Sequence, residues 1–232
     1  RADDIRYFSL GVRRRPRVLL IADSRNDAFY FQAALEASDG GPGRKPFHDC
    51  TWLATSRSRR VNLNSYDVVC LINCQRPDAE LWDSLHDWVI EGGSLFTVAG
   101  GKQVLVRERW SVDQCEDLLP AFLLFPDRFD ERPETLQFST VHPITQAFEY
   151  DRESKAEFLG LPMRRYWKVL TAPDSRVVMT YTGTQENAAI IERQVGKGRS
   201  LMLTTALDYV PDEAEQWNTL PVNVSSFLIF TE

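Results

Sequence analysis

Apolar positions along this chain fall in short unbroken runs. Arg17 to Ala22 (RVLLIA), Asp67 to Asn73 (DVVCLIN) and Ser94 to Gly100 (SLFTVAG) each read as a strand buried on both faces, the pattern of a parallel sheet. Thr51 to Thr55 (TWLAT) is a further short run. Phe29 to Ala37 reads as a helix. After Pro77, Leu81, Leu85, Trp88 and Val89 recur at helical spacing until Glu91-Gly92-Gly93 ends the segment. Strand, helix, Gly-Gly, strand is a βαβ unit, and its right-handed crossover makes the two strands parallel. The pattern predicts a sheet in which the 17–22 strand is flanked by 51–55 and 67–73, with 94–99 beside the latter.

Beyond Gly101 the periodicity weakens. A helix is expected over 112–119, stopping at Pro120, then a strand over 135–138 and a short helix entered at His142-Pro143. An irregular segment over 156–170 leads into another strand. Two alternating segments, NAAIIERQV and RSLMLTTAL, surround Gly196-Lys197-Gly198 and predict a C-terminal β-hairpin. Leu220 to Phe230 is expected to pack back as a helix broken at Pro221.

With 232 residues and 43% hydrophobic content, the chain can bury a sizeable core without a metal or disulfide framework. A net charge of -6 argues against a nucleic-acid partner, and the arginines at 13–17 and at 57, 59 and 60 read as solvated surface. The four cysteines form no CxxC, so neither a zinc site nor any other cofactor is implied. No apolar run reaches the ~18 residues that direct insertion into a membrane requires.

In parallel α/β sheets, function collects at the carboxyl ends of the strands. There the chain carries Asp23 and Arg25 after the first strand, and Asn73 and Gln75 after the third. Gly100, Gly101 and Lys102 follow the fourth, and Asp208 follows the last long strand. These are the candidate binding residues; no catalytic residue and no metal ligand is assigned. Trp110 and Phe125 are either aromatic contributors to this mouth or core fillers. Nucleotide-binding glycine motifs and a GxSxG elbow are absent, and Gly196-Lys197-Gly198 reads as a tight turn. Cys74, just past a strand, is the alternative seat of a relocated nucleophile, with His142 or His48 as partner.

The segments RVLLIADSRNDAFYFQAAL, YDVVCLIN, LHDWVIEGGSLFTVAGG, HPITQAF and IIERQVGKGRSLMLTTALD together resemble the class I glutamine amidotransferase-like superfamily. More narrowly, they resemble its non-catalytic members in large bacterial membrane-anchored proteins that carry von Willebrand factor A modules. The resemblance implies a flavodoxin-like three-layer α/β sandwich over 16–232, with a mostly parallel sheet. Residues 1–15 would be a linker or the last strand of a preceding β-sandwich domain. The family's nucleophile position reads Gly100-Gly101-Lys102 here, and its His and Glu partners are missing at Thr205 to Asp208. The implied role is an interaction or scaffolding domain, contacting protein partners or neighbouring domains in the periplasm. The alternatives are a hydrolase or small-ligand-binding domain with a relocated site, and a cytoplasmic setting.

Overall fold

The computed structural model describes residues 14–37, 46–101, 105, 107–110, 113–129, 131–139, 141–149, 151–183, 187–212, 214–223 and 227. The strand-like patch at 7–12 and Lys102 lie outside the described residues, as does most of the expected terminal helix. Of that helix, the described residues form a 3₁₀ turn at Leu220–Val222, followed by Asn223 and by the buried Phe227, whose backbone N–H donates to the Asn223 carbonyl (2.9 Å).

An eight-stranded sheet organises the chain. Its strands are β1 (Arg17–Ala22), β2 (Asp49–Ala54), β3 (Val68–Ile72), β4 (Ser94–Val98), β6 (Leu136–Phe138), β8 (Ser175–Tyr181), β9 (Ala188–Val195) and β10 (Gly198–Leu203), in the order β2-β1-β3-β4-β10-β9-β8-β6. The first five in that order run parallel. The last three continue antiparallel. The expected neighbours of β1 and β4 are therefore those observed, and β9–β10 is the expected hairpin, turning at Gly196 with φ 56°.

Burial explains the unbroken apolar runs. Alternate residues of β1 face opposite ways: Leu19 and Ile21 pack with Leu81, Trp82 and Leu85 of α2 (Ala79–Ile90), while Val18 and Leu20 pack with Phe31 and Leu35 of α1 (Arg25–Leu35). Helices thus cover both faces, so the central strands β1 and β3 are apolar on both sides.

Three sequence expectations change. Helix α1 starts at Arg25, earlier than the apolar pattern suggested, because Asp27 Oδ2 accepts both the backbone N–H (2.9 Å) and the hydroxyl (2.8 Å) of Ser24. Only Asp113–Glu116 of the 112–119 segment forms a helix, α3. Part of the segment expected to be irregular is the helix α5 (Arg152–Leu159), its first turn capped by Asp151. The helix expected at His142-Pro143 is α4 (Pro143–Gln146). A separate antiparallel pair, β5 (Ala121–Arg128) with β7 (Arg165–Thr171), escaped the sequence pattern.

Candidate functional site

The strand order reverses direction between β1 and β3, one leading out to β2 and the other toward β4. A crevice at such a switch point is where ligands bind in open α/β sheets. A cleft of about 480 Å³ lies there, walled by Asp23, Ser24, Asn26 and Asp27 after β1, Asn73 and Gln75 after β3, and Asp208 to Pro211 beyond β10. Local bonding holds these walls in place. The Gln75 backbone N–H donates to Asp23 Oδ2 (2.9 Å), tying the end of β3 to the end of β1. The buried Asn218 carboxamide donates to Thr205 Oγ1 and to the Ala206 carbonyl, both at 2.9 Å, and so fixes the segment leading to Asp208. Tyr209 meets Tyr30 of α1 edge to face, with ring centroids 6.2 Å apart.

Asn73 is the most constrained of these residues. Its φ is 47°, a left-handed conformation that asparagine tolerates better than most side chains. It is 2% exposed, and its Oδ1 has no hydrogen-bond partner among the described residues. Three carboxylates (Asp23, Asp27 and Asp208) line the cleft, and among the described residues no lysine or arginine does. The field inside favours cations and hydroxyl donors. Among the described residues, no group of three or more His, Cys, Asp or Glu side chains is placed to hold a metal ion.

Four of the residues expected from sequence therefore meet: Asp23, Asn73, Gln75 and Asp208. Arg25 is exposed on the first turn of α1 and does not line the cleft. Gly100 and Gly101 are buried behind it. A Cβ on Gly100 would sit 2.6 Å from the Ala206 nitrogen, so β4 ends in direct backbone contact with the segment after β10. Lys102 is outside the described residues. Trp110 is a core residue, fully buried and edge-on to Trp82, with centroids 5.3 Å apart. Phe125 is half exposed on β5 and away from the cleft.

Ser24, which also follows the first strand, lines the cleft as well, while sequence reasoning missed Asn26, Asp27 and the Tyr209–Pro211 stretch. The Ser24-x-x-Asp27 capping pattern could have placed Asp27 at the helix entrance beside Asp23.

The relocated-nucleophile alternative fails on geometry. Cys74 is fully buried, with its thiol 3.2 Å from the Ile21 carbonyl, and burial pushes its pKa up to about 12. At neutral pH it is a neutral thiol with no path to substrate. Neither proposed histidine partner touches it. His142 Nδ1 accepts the Ile144 N–H (3.2 Å), leaving Nε2 to donate to Glu192 (3.1 Å), while His48 Nδ1 is bonded to the Leu35 carbonyl (3.1 Å).

The fold is similar to that of two cytoplasmic proteins of Salmonella typhimurium. The TM-scores are 0.63 and 0.65 at 14% and 15% identity, covering 92% and 91% of this chain and 97% and 98% of theirs. A catalytic mutant of Gan42B, a GH42 β-galactosidase of G. stearothermophilus, matches 88% of this chain over 29% of its own length, with a TM-score of 0.55 at 10% identity. At such identities the likeness is one of fold alone. No protein-family model matches the chain, and no curated protein matches it.

These findings overturn the expected kinship with membrane-associated, amidotransferase-like domains that accompany von Willebrand factor A modules, since no such protein is among these likenesses. The expected periplasmic placement is overturned with it, because the two proteins matched along nearly their whole length are cytoplasmic. No helix among the described residues is long and apolar enough to cross a membrane. What stands is an α/β fold with a mixed, mostly parallel sheet between helices and a small antiparallel pair beside it.

Proposed function

We propose that this chain is a binding domain for a small polar ligand rich in hydrogen-bond donors, held in the acidic cleft at the carboxyl ends of β1 and β3. The observation that carries this reading is Asn73, whose buried carboxamide oxygen lacks a partner among the described residues at the wall of the cleft. Leaving such an atom unpaired costs about 1–3 kcal/mol, which a ligand N–H or O–H offsets. The three carboxylates favour the same donors, and Tyr209 offers an aromatic surface. The parallel order β2-β1-β3-β4 followed by β10 is that of flavodoxin-like sandwiches, which bind ligands at this switch point. The cleft volume falls within the roughly 300–1,000 Å³ of small-molecule sites.

Small-ligand binding ranks ahead of the scaffolding role expected from sequence, because a spacer has no use for a pre-formed polar cleft with an unpaired buried acceptor at Asn73. A cytoplasmic setting is part of the proposal and draws support from the two Salmonella likenesses.

Thermal unfolding in the presence of polyols, amino sugars and polyamines tests it. At about a hundred times Kd, a ligand stabilises by ~2.7 kcal/mol, roughly 5–10 °C for a chain of this size. Asn73→Gly accepts the positive φ and deletes the carboxamide, so it should keep the unliganded Tm and lose the ligand-induced rise. An equal rise in both proteins overturns the proposal.

A further inference from the structure

A second cleft, of about 460 Å³, adjoins the acidic one, and Asp23 is a wall of both. Its balance of charge is reversed, with three arginines against the carboxylates of Asp23 and Asp78. Arg59, Arg76 and Arg109 line it, drawn from three segments: the 3₁₀ turn Thr55–Arg60 after β2, the loop between β3 and α2, and the turn Arg107–Arg109. Two tryptophans brace this arrangement from beneath. The Trp82 indole of α2 donates to the Arg109 carbonyl (2.9 Å), and the Trp110 indole donates to the Cys74 carbonyl (2.9 Å), two residues before Arg76.

Arg59 is already engaged with Asp78 at 2.5 Å, and Asp78 also caps α2 through the Leu81 N–H. Arg76 and Arg109 have no side-chain hydrogen bond or ion pair among the described residues. In a chain of net charge -6, two unengaged guanidinium groups in one cleft are a local departure. Thr55 and Ser56 add hydroxyl groups, and the amino end of α2 opens on the same space.

We infer that this cleft is an anion subsite that receives the phosphate group of a phosphate monoester. A carboxylate is satisfied by one guanidinium fork, whereas a tetrahedral phosphate presents oxygens to both unengaged forks, in a lining whose three arginines outnumber its two carboxylates, Asp23 and Asp78, by one. Because the clefts meet at Asp23, the organic part of the same molecule reaches the acidic cleft; that half of the inference rests on the function proposed above.

The test is calorimetric titration at constant ionic strength with inorganic phosphate, glycerol 3-phosphate and glycerol. Saturable binding of both phosphates is expected. Arg76→Ala/Arg109→Ala should weaken it at least about tenfold, the scale of a lost charge-assisted hydrogen bond. Arg57→Ala/Arg60→Ala removes two exposed arginines of the same turn that do not line the cleft, and should leave binding unchanged. No saturable phosphate binding, or equal loss in both double variants, overturns the subsite. Binding of inorganic phosphate without glycerol 3-phosphate overturns the assignment to a monoester. Inorganic phosphate does not need the acidic cleft, so Asn73→Gly should leave its binding intact and the two proposals can fail separately.

Discussion

The side chain of Asn73 occupies the space that a Cβ on Gly101 would need, the carboxamide lying directly against that position. Both residues are held at positive φ, 47° for Asn73 and 151° for Gly101, so the ends of β3 and β4 are locked together by two unusual backbone conformations. Gly101→Ala should therefore push the carboxamide out of place, abolish ligand binding and cost roughly 1–3 kcal/mol from strain and crowding. Adding Asn73→Gly should restore part of that stability, since the clash then has no second partner. Urea unfolding of the two single variants and the double variant measures the coupling; strict additivity would contradict the packing described.

Gly100 presents a stricter case. A Cβ there would meet backbone, the Ala206 nitrogen and the Thr205 carbonyl carbon, both at 2.6 Å, and no flexible side chain can yield. Gly100→Ala is expected to destabilise by ~2 kcal/mol or more. Gly100→Cys should fold no better, so this position cannot take a nucleophile. A urea midpoint equal to that of the wild type would refute the close approach.

The thiols give a direct chemical check. Cys70, Cys74 and Cys115 are buried, and the half-buried Cys50 is, like Cys74, raised to about 12, chiefly by burial. At pH 8 the native protein should react with Ellman's reagent only at the rate of local opening, whereas unfolded protein should release four equivalents. A fast stoichiometric burst from the native protein, lost in Cys74→Ala, would restore the relocated nucleophile.

Stability should fall at acid pH. Asp67 is held below the usual carboxylate range chiefly by the Arg17 backbone N–H, Asp127 chiefly by Lys168, and Asp151 chiefly by the Ser154 hydroxyl. A carboxyl whose folded pKa is depressed contributes stability above its unfolded value, about 3.9, and loses it as pH falls through the lower folded value. The urea midpoint should be flat from about pH 7 to 5 and decline below about pH 4. Asp67→Asn should shrink the decline modestly, because the group is largely solvated. A decline of unchanged size in that variant would remove Asp67 from the account.

The legible part of the fold was the part whose strands are buried on both faces. Val18 to Ala22 and Val69 to Ile72 have no polar option, so the sequence shows them as uninterrupted apolar runs. β5 and β7 were hidden because their burial is mixed. Phe125 and Leu170 stand exposed while Leu123 and Trp167 are buried, and the pairing slips between Leu123 and Phe125. In the acidic cleft, Asp23, Asn73, Gln75 and Asp208 were readable because each directly follows a strand or its connecting loop. Arg59, Arg76 and Arg109 were not, since segments far apart in sequence bring them together, and a lone arginine looks the same whether it lines a cleft or faces solvent.

The central claim is that the cleft between Asp23, Asn73 and Asp208 binds a small donor-rich ligand. The most direct measurement is ¹H–¹⁵N chemical-shift mapping of the ¹⁵N-labelled protein titrated with polyols, amino sugars and polyamines. At least one compound should saturably shift the backbone amides of residues 23–27, 73–75 and 208–210 together with the Asn73 side-chain amide, and Asn73→Gly should abolish those shifts. If no compound perturbs these amides, or if the saturable shifts fall only elsewhere on the surface, the cleft is not the binding site.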